Sequence, residues 1–283
     1  MFILELLKTV VIGIVEGITE WLPVSSTGHM ILVEEFIKLD VSPEFWNVFL
    51  VVIQLGSILA VVVMFWNKIF PFEVDLKKPH IGVKKDILGL WGKILLACVP
   101  AAVIGILFDD IIDKVFYNTY TVITTLIFYG VVMIVVEYLN KNKNPKINKF
   151  SELDMKTALI IGGFQLLALI PGTSRSGATI IGALIIGVAR TAAAEFTFYL
   201  AIPVMFGASL LKMVKFGFNY SGAEIAIMLT GMVTAFVVSM LAIKFLINYV
   251  RKRDFKIFGW YRIGLGLVLI VFMILKSLVF KMI

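Results

Sequence analysis

"PVSSTGHMI", residues 23–31, and "PGTSRSGATI", residues 171–180, are two versions of one pattern. At an offset of 149, Ser25 falls on Ser174, Gly28 on Gly177 and Ile31 on Ile180, and the same offset places Glu16 on Gln165. Farther along, Phe45 and Gly56 match Phe196 and Gly207 at an offset of 151. The matches are short but run in the same order, and ordered self-similarity marks an internal repeat.

The surroundings of both copies are apolar. Of 283 residues, 60% are hydrophobic, and the mean hydropathy is +0.99. Soluble domains are about 45–50% apolar by a similar count, so an integral membrane protein is expected. Apolar stretches fall near 2–22, 25–37, 45–66, 92–108 and 118–139, and after a polar linker at 140–154 near 155–170, 175–189, 192–214, 223–249 and 258–280. Runs such as Val48 to Phe65 carry no charge, as helices crossing a hydrocarbon core of ~30 Å require. The single Cys98 excludes an intrachain disulfide and reads as a small packing residue. The first residues lack a basic region ahead of the apolar run, so no cleaved signal is expected and the chain should begin at or near Met1.

Charge sets the orientation. Lys68, Lys77, Lys78, Lys84 and Lys85 crowd the loop at 67–91; Lys141, Lys143, Lys146 and Lys149 the linker; Arg251, Lys252, Arg253 and Lys256 the loop near 250–257. Basic loops stay in the cytoplasm. They account for the formal charge of +7 without a nucleic-acid partner. The acidic loop at 109–118 belongs outside, as does the connection at 213–222. With those constraints 2–37 must dip in from outside and return, while 155–189 dips in from inside. The expected fold is therefore all-α and polytopic, an inverted repeat in which each half has one re-entrant helical hairpin and three transmembrane helices. The first half is 1–139, with hairpin 2–37 and spans 45–66, 92–108 and 118–139. The linker is 140–154. The second half is 155–283, with hairpin 155–189 and spans 192–214, 223–249 and 258–280. Such architectures put broken, polar segments near the bilayer midplane, and the two hairpin tips should face one another.

The tips carry the chemistry. Glu16 and Glu20 are four apart and share a helix face. Two close carboxylates repel, so they share a proton or hold a cation between them; oxygen ligands suit Mg²⁺ or Ca²⁺. The alternative is a hydrogen-bonded pair that packs the hairpin. His29 follows the serines and is open to general-base, nucleophilic or donor roles, or to plain packing; His80 lies in a charged loop. Arg175 is costly at membrane depth and needs a partner. Gly172, Thr173, Ser174, Ser176, Gly177 and Thr179 surround it. A loop of that kind opening into a helix near Ser174 is an anion site, and arginine recognises phosphate through two parallel donors. A structural Arg–Glu pair across the hairpins is the bland reading, and Ser25, Ser26, Thr27 and their counterparts can also serve as helix-packing residues. Gln54 and Gln165 are expected to hydrogen-bond between helices, while Glu137, Arg190, Glu195 and Lys244 near helix ends snorkel or offset helix dipoles. Acid pair, histidine, hydroxyls and arginine together point to hydrolysis of a phosphate ester or anhydride whose apolar part stays in lipid.

"EGITEWLPVSSTGH" and "PGTSRSGAT" resemble the two signature segments of the undecaprenyl-diphosphatase family, the bacitracin-resistance type. The first matches its Glu-x-x-x-Glu element followed by Pro-Val-Ser-Ser-Thr-Gly-His, the second its Pro-Gly-x-Ser-Arg-Ser-Gly-x-Thr element, and the likeness covers essentially the whole chain. The resemblance implies removal of the terminal phosphate from undecaprenyl diphosphate, which recycles the lipid carrier for cell-wall synthesis. It implies a bacterial plasma membrane, a site opening to the outer face and dependence on a divalent cation. Carried over by position, Glu16 and Glu20 are its acidic residues and metal ligands. Ser26 and His29 are candidates for nucleophilic or acid–base work, Arg175 is the phosphate clamp, and Ser25, Thr27, Gly172, Thr173, Ser174, Ser176 and Thr179 bind substrate. Whether Ser26, His29 or a metal-bound water attacks stays open. A homodimer is a further expectation. Two rival readings remain, a transporter or flippase for a lipid phosphate or small anion, and a lipid phosphatase of the phosphatidic-acid type. The second expects another histidine after Arg175, which "SGATIIGALIIGVAR" lacks.

Overall fold

A computed structural model describes residues 2–74, 81–217 and 219–282. The expected loop residues Lys77, Lys78 and His80 lie outside the described residues, as do the side chains of Asp109, Asp110 and Asp113. In chain order the helices are α1 Phe2–Thr19, α2 Ser26–Phe36, α3 Pro43–Val52, α4 Gln54–Met64 and the short α5 Trp66–Ile69. Strands β1 Phe72–Val74 and β2 Ile81–Val83 follow and pair antiparallel, with Phe72 opposite Val83. Then come α6 Lys85–Phe116, α7 Thr119–Leu139, α8 Met155–Gln165, α9 Arg175–Ile185, α10 Arg190–Phe216, α11 Gly222–Val250 and α12 Lys256–Met282. A 3₁₀ turn, Leu166–Leu169, follows α8.

Among the described residues six stretches are long and apolar enough to cross a membrane: Pro43–Met64, Lys85–Phe108, Thr119–Leu139, Arg190–Phe216, Gly222–Val250 and Lys256–Leu278. Each buries only 22% to 50% of its crossing window inside the protein. The remainder presents large apolar side chains, such as Leu59, Ile106, Val131, Phe206, Val233 and Val271, to the surroundings. So much contiguous apolar surface suits lipid and not water. The chain is a multi-pass membrane protein.

Local chemistry explains the helix starts. Ser42 accepts from the Phe45 amide at 3.1 Å with Pro43 at the first helical position, and Asn118 accepts from the Thr121 amide at 2.9 Å. Asp154 caps α8 through the Thr157 amide at 2.7 Å, and the Thr157 hydroxyl together with that amide holds its carboxyl below the usual range. Ser221 and Glu224 form a reciprocal capping box on α11.

Three boundaries differ from the expectation. Most of the stretch 109–118 is no loop, because α6 runs from Lys85 to Phe116; residues 109–116 hold no glycine or proline, and helical geometry outlasts the rise in polarity. The loop at 67–91 is structured by α5, the β-hairpin and the first turns of α6. The span at 45–66 is interrupted at Ile53, just ahead of Gln54. Glu137 and Arg190 also depart from the snorkelling expected of them. Arg190 Nε donates to both Glu137 oxygens, at 2.9 and 3.1 Å, and Glu137 accepts from the Phe255 amide at 3.0 Å.

The helices α1 and α2 pack on each other, as do α8 and α9. α1 lies along α11 and α8 along α6, while α7 packs on α12 and α4 on both α10 and α11. Close approach is set by small residues. A Cβ at Gly162 would stand 2.1 Å from the Ala97 carbonyl oxygen, and one at Gly13 would stand 2.9 Å from that of Gly231. Neither site accommodates a side chain, so glycine fixes how deeply α8 and α1 seat against their neighbours.

Candidate active site

The turns between α1 and α2 and between α8 and α9 meet. Each ends in a serine with a left-handed backbone, Ser25 at φ 72° and Ser174 at φ 72°. Each serine hydroxyl accepts from the amide three residues on, Gly28 at 3.4 Å and Gly177 at 3.1 Å, and an 11-residue helix follows. The first helical residue is Ser26 in one case and Arg175 in the other. The two sharp turns therefore deliver a hydroxyl and a guanidinium into one space.

Glu20 joins them. Its Oε2 accepts from Ser26 Oγ at 2.9 Å, and its Oε1 accepts from Arg175 Nη2 at 3.2 Å. Arg175 Nη1 donates to the Thr197 carbonyl at 2.9 Å, and the guanidinium lies 5.7 Å from the Trp21 ring centre. Arg175 Nε is buried with no partner. The ion pair is thus neither bidentate nor complete, and donor capacity is left over. Glu16, one helical turn before Glu20, is 1% exposed, and its Oε1 has no hydrogen-bond partner.

Glu20, Ser26, Thr27, Gly172, Ser174 and Arg175 line one cavity of about 730 Å³. Its other walls come mainly from α6 and α10, with Ala101, Ile106, Val204, Leu210 and Val214 among them. A polar head group fits at the tips and an apolar tail against those walls. Cys98 lines the cavity wall and packs against the hydrophobic core, as expected of a small packing residue.

The other expected residues are placed differently. Ser176 is buried and donates toward the Glu20 and Leu22 carbonyls at 3.3 Å, tying the two turns together. Thr179 bonds the Arg175 carbonyl at 3.0 Å and the Thr197 hydroxyl at 2.9 Å; Ser25 and Thr173 are buried. His29 stands apart from the Glu20 cluster. Its Nδ1 lies 2.8 Å from the Ser25 carbonyl, which can only accept, so Nδ1 carries the proton. In the neutral ring Nε2 then accepts from the Tyr261 hydroxyl at 2.8 Å, and the two rings stack at 5.5 Å.

Tyr261, Thr197 and above all Arg262 were missed by the sequence reading. Arg262 is fully buried on α12 and donates to four carbonyls: Gly172 at 2.9 Å, Thr125 at 3.3 Å, and Pro23 and Leu126 at 3.5 Å. It links one turn to the other through Pro23 and Gly172. Thr125 adds a bond from its hydroxyl to the Pro171 carbonyl at 2.8 Å. An arginine inside an apolar segment was the available signal.

A family model described as bacitracin resistance protein BacA matches residues 9–268. The chain belongs to the BacA family. Among curated relatives, an undecaprenyl-diphosphatase of Acetivibrio thermocellus is 62% identical over 269 residues, covering 95% of this chain and 98% of that protein. An undecaprenyl-diphosphatase of Desulfitobacterium hafniense is 55% identical over 99% of this chain and all of its own length. One from Enterococcus faecalis is 57% identical over 95% of this chain and 97% of its own. The two turns that line the cavity both lie within the matched region.

Proposed function

We propose that this BacA-family chain is an integral membrane phosphatase that hydrolyses undecaprenyl diphosphate to undecaprenyl phosphate and inorganic phosphate, recycling the lipid carrier for cell-wall synthesis. One observation carries the reading: Glu20 is bonded at once to Ser26 and Arg175 at the polar end of a cavity with apolar walls. Arg175 holds the terminal phosphate, and Thr27 and Ser174, which line the cavity beside it, are further donors. Ser26 Oγ attacks the terminal phosphorus and passes its proton to Glu20, 2.9 Å away. The bond from that phosphorus to the bridging oxygen breaks, and undecaprenyl phosphate leaves. Glu20 gives that proton up to the departing lipid phosphate; water then attacks the phosphoserine phosphorus, losing a proton to Glu20, which returns it to Ser26 Oγ as inorganic phosphate leaves. Most of the rate enhancement comes from positioning and from the guanidinium facing developing charge. His29, engaged with Ser25 and Tyr261, steadies the start of α2.

The architecture is an inverted repeat with two re-entrant hairpins, Phe2–Phe36 and Met155–Ile185. The matched turns at Ser25 and Ser174 support it, and so does the exchange by which α1 packs on α11 as α8 packs on α6. The basic loops face the cytoplasm of a bacterial plasma membrane, and the cavity opens to the outer face. A divalent cation, Mg²⁺ or Ca²⁺, fits the neighbouring carboxylates. Glu16 has a buried oxygen without a partner beside Glu20, and Mg²⁺ is commonly held by one or two carboxylates plus substrate phosphate. Bound there, the ion supplies charge neutralisation for the diphosphate.

Purified protein in detergent should release phosphate from undecaprenyl diphosphate, and a chelator should suppress that release. A preparation that binds the lipid but liberates no phosphate, with or without added Mg²⁺ or Ca²⁺, would sink the reading.

A further inference from the structure

Gln165 is 2% exposed, and neither its Nε2 nor its Oε1 has a hydrogen-bond partner. It ends α8 and lines the cavity that also contains Glu20, Ser26 and Arg175. The interhelical bond expected for it from the sequence is not made. Buried side-chain amides are nearly always satisfied, because an unmet donor or acceptor keeps the full cost of losing water. A carboxamide with both ends uncommitted at a cavity wall is ready for something that enters the cavity.

We propose that Gln165 is a substrate-binding residue whose side-chain N–H donates to a non-bridging oxygen of the bound diphosphate. Its carbonyl end accepts from water that enters with the head group. The inference rests on the reading of this cavity as a diphosphate-lipid site. Two features favour a donor here. Part of the Arg175 guanidinium is already engaged by Glu20 and the Thr197 carbonyl, and the donors left over do not satisfy all the acceptor oxygens of a diphosphate. Charge is the second feature. Gln165 occupies the position matched by Glu16 in the first half, and Glu16 and Glu20 already bring two carboxylates to the tips. A third carboxylate would repel the substrate, whereas an amide supplies two N–H groups without charge.

The test uses full-length Gln165→Leu and Gln165→Glu in detergent. Three quantities are read: kcat and KM for phosphate release, affinity for a methylene-bridged prenyl diphosphonate that cannot be hydrolysed, and the unfolding temperature. Both variants should lose about ten- to a hundredfold in kcat/KM and in diphosphonate affinity. Gln165→Leu should unfold at or above the wild-type temperature, since it removes two unmet polar atoms. Wild-type-like kcat/KM and affinity in either variant would overturn the proposal. So would a fall in unfolding temperature with unchanged affinity in the protein that remains folded. If Gln165→Leu fails to fold, the nearly isosteric Gln165→Glu decides by the same two measurements. Wild-type protein that binds the diphosphonate but releases no phosphate would sink the phosphatase reading alone, and the affinities would still decide the role of Gln165. Wild-type protein that does neither overturns both.

Discussion

Ser25 and Ser174 stand 149 positions apart in the chain, yet both hold a backbone φ of 72°, and among the described residues no other non-glycine residue has a positive φ. A non-glycine residue there costs about 1–3 kcal/mol, offset in part by the ~1 kcal/mol that a hydroxyl cap contributes. Two strained turns at matched positions, each aiming the next residue into the cavity, tie local geometry to the site. Glycine at either position should relieve the strain while losing the cap, leaving the unfolding temperature within a few degrees of wild type. Alanine keeps the strain and loses the cap, so Ser174→Ala and Ser25→Ala should each unfold earlier than the glycine variants. Thermal unfolding in detergent reads the order; alanine variants more stable than glycine variants would refute this account of the turns.

Arg175 gives the second prediction. Lysine keeps the charge but cannot donate along two parallel directions, nor reach Glu20 and the Thr197 carbonyl together. Phosphate release by Arg175→Lys should drop about tenfold or more, and Arg175→Ala should drop further. Near-wild-type turnover in both would remove the phosphate-clamp role.

Much of this was legible in the sequence because the signals were local. Proline and glycine at Pro23, Pro171 and Gly172 break the apolar runs, and Ser25 and Ser174 restart helices, so the turns fall where the pattern puts them. The cost of an unpartnered guanidinium in lipid calls for a partner to Arg175, with an Arg–Glu pair across the hairpins as the bland reading; the structure supplies that partner as Glu20. What escaped depends on contacts far apart in sequence. Arg262 lies seven residues into α12, just beyond a basic loop, where an arginine reads as an end-of-helix anchor; its bonds go to backbone carbonyls that carry no residue-type signal. The Tyr261 partner of His29 is 232 positions away. The acidic run at 109–113 suggests a loop because polarity commonly marks a boundary, yet nothing in it breaks a helix and α6 runs through it.

Arg262 yields a prediction of the opposite kind to Arg175, on folding before chemistry. Arg262→Met removes four carbonyl contacts at once and should cost about 2–4 kcal/mol of stability. Arg262→Lys should fall between methionine and wild type, since an ammonium reaches fewer of the four. Turnover should follow, because Pro23 and Gly172 lose their common anchor. An unchanged unfolding temperature for Arg262→Met would show that the turns are held together by other means.

Topology is tested by position. In a Cys98→Ala background, a cysteine at Lys146 should resist an impermeant reagent in intact cells and label after permeabilisation. One at Lys114, near the end of α6, should label from outside. Both side chains are exposed, so burial does not confuse the outcome. Labelling of the 146 variant in intact cells, or protection of the 114 variant, would reverse the assigned orientation.

Glu20 separates catalysis from scaffolding most directly. Its two oxygens go to different partners, one to Ser26 and one to Arg175. Glu20→Gln keeps the size and some of the hydrogen bonding, but it removes the base for Ser26 and the negative charge that a cation would share with Glu16. Phosphate release should fall by about a hundredfold or more, as loss of a general base commonly costs. The response to added Mg²⁺ or Ca²⁺ should weaken as well. If instead the carboxylate were only the counter-ion of Arg175, its neutralisation would leave a buried unpaired charge and cost about 3–5 kcal/mol of stability. The leftover donors of Arg175, together with its Thr197 and Trp21 contacts, argue for a smaller loss, because the guanidinium is not held by Glu20 alone. Purified Glu20→Gln should therefore insert, fold and unfold near the wild-type temperature while being almost inactive. A variant that unfolds many degrees earlier yet turns over normally whenever folded would make Glu20 a structural residue and leave Ser26 without its base.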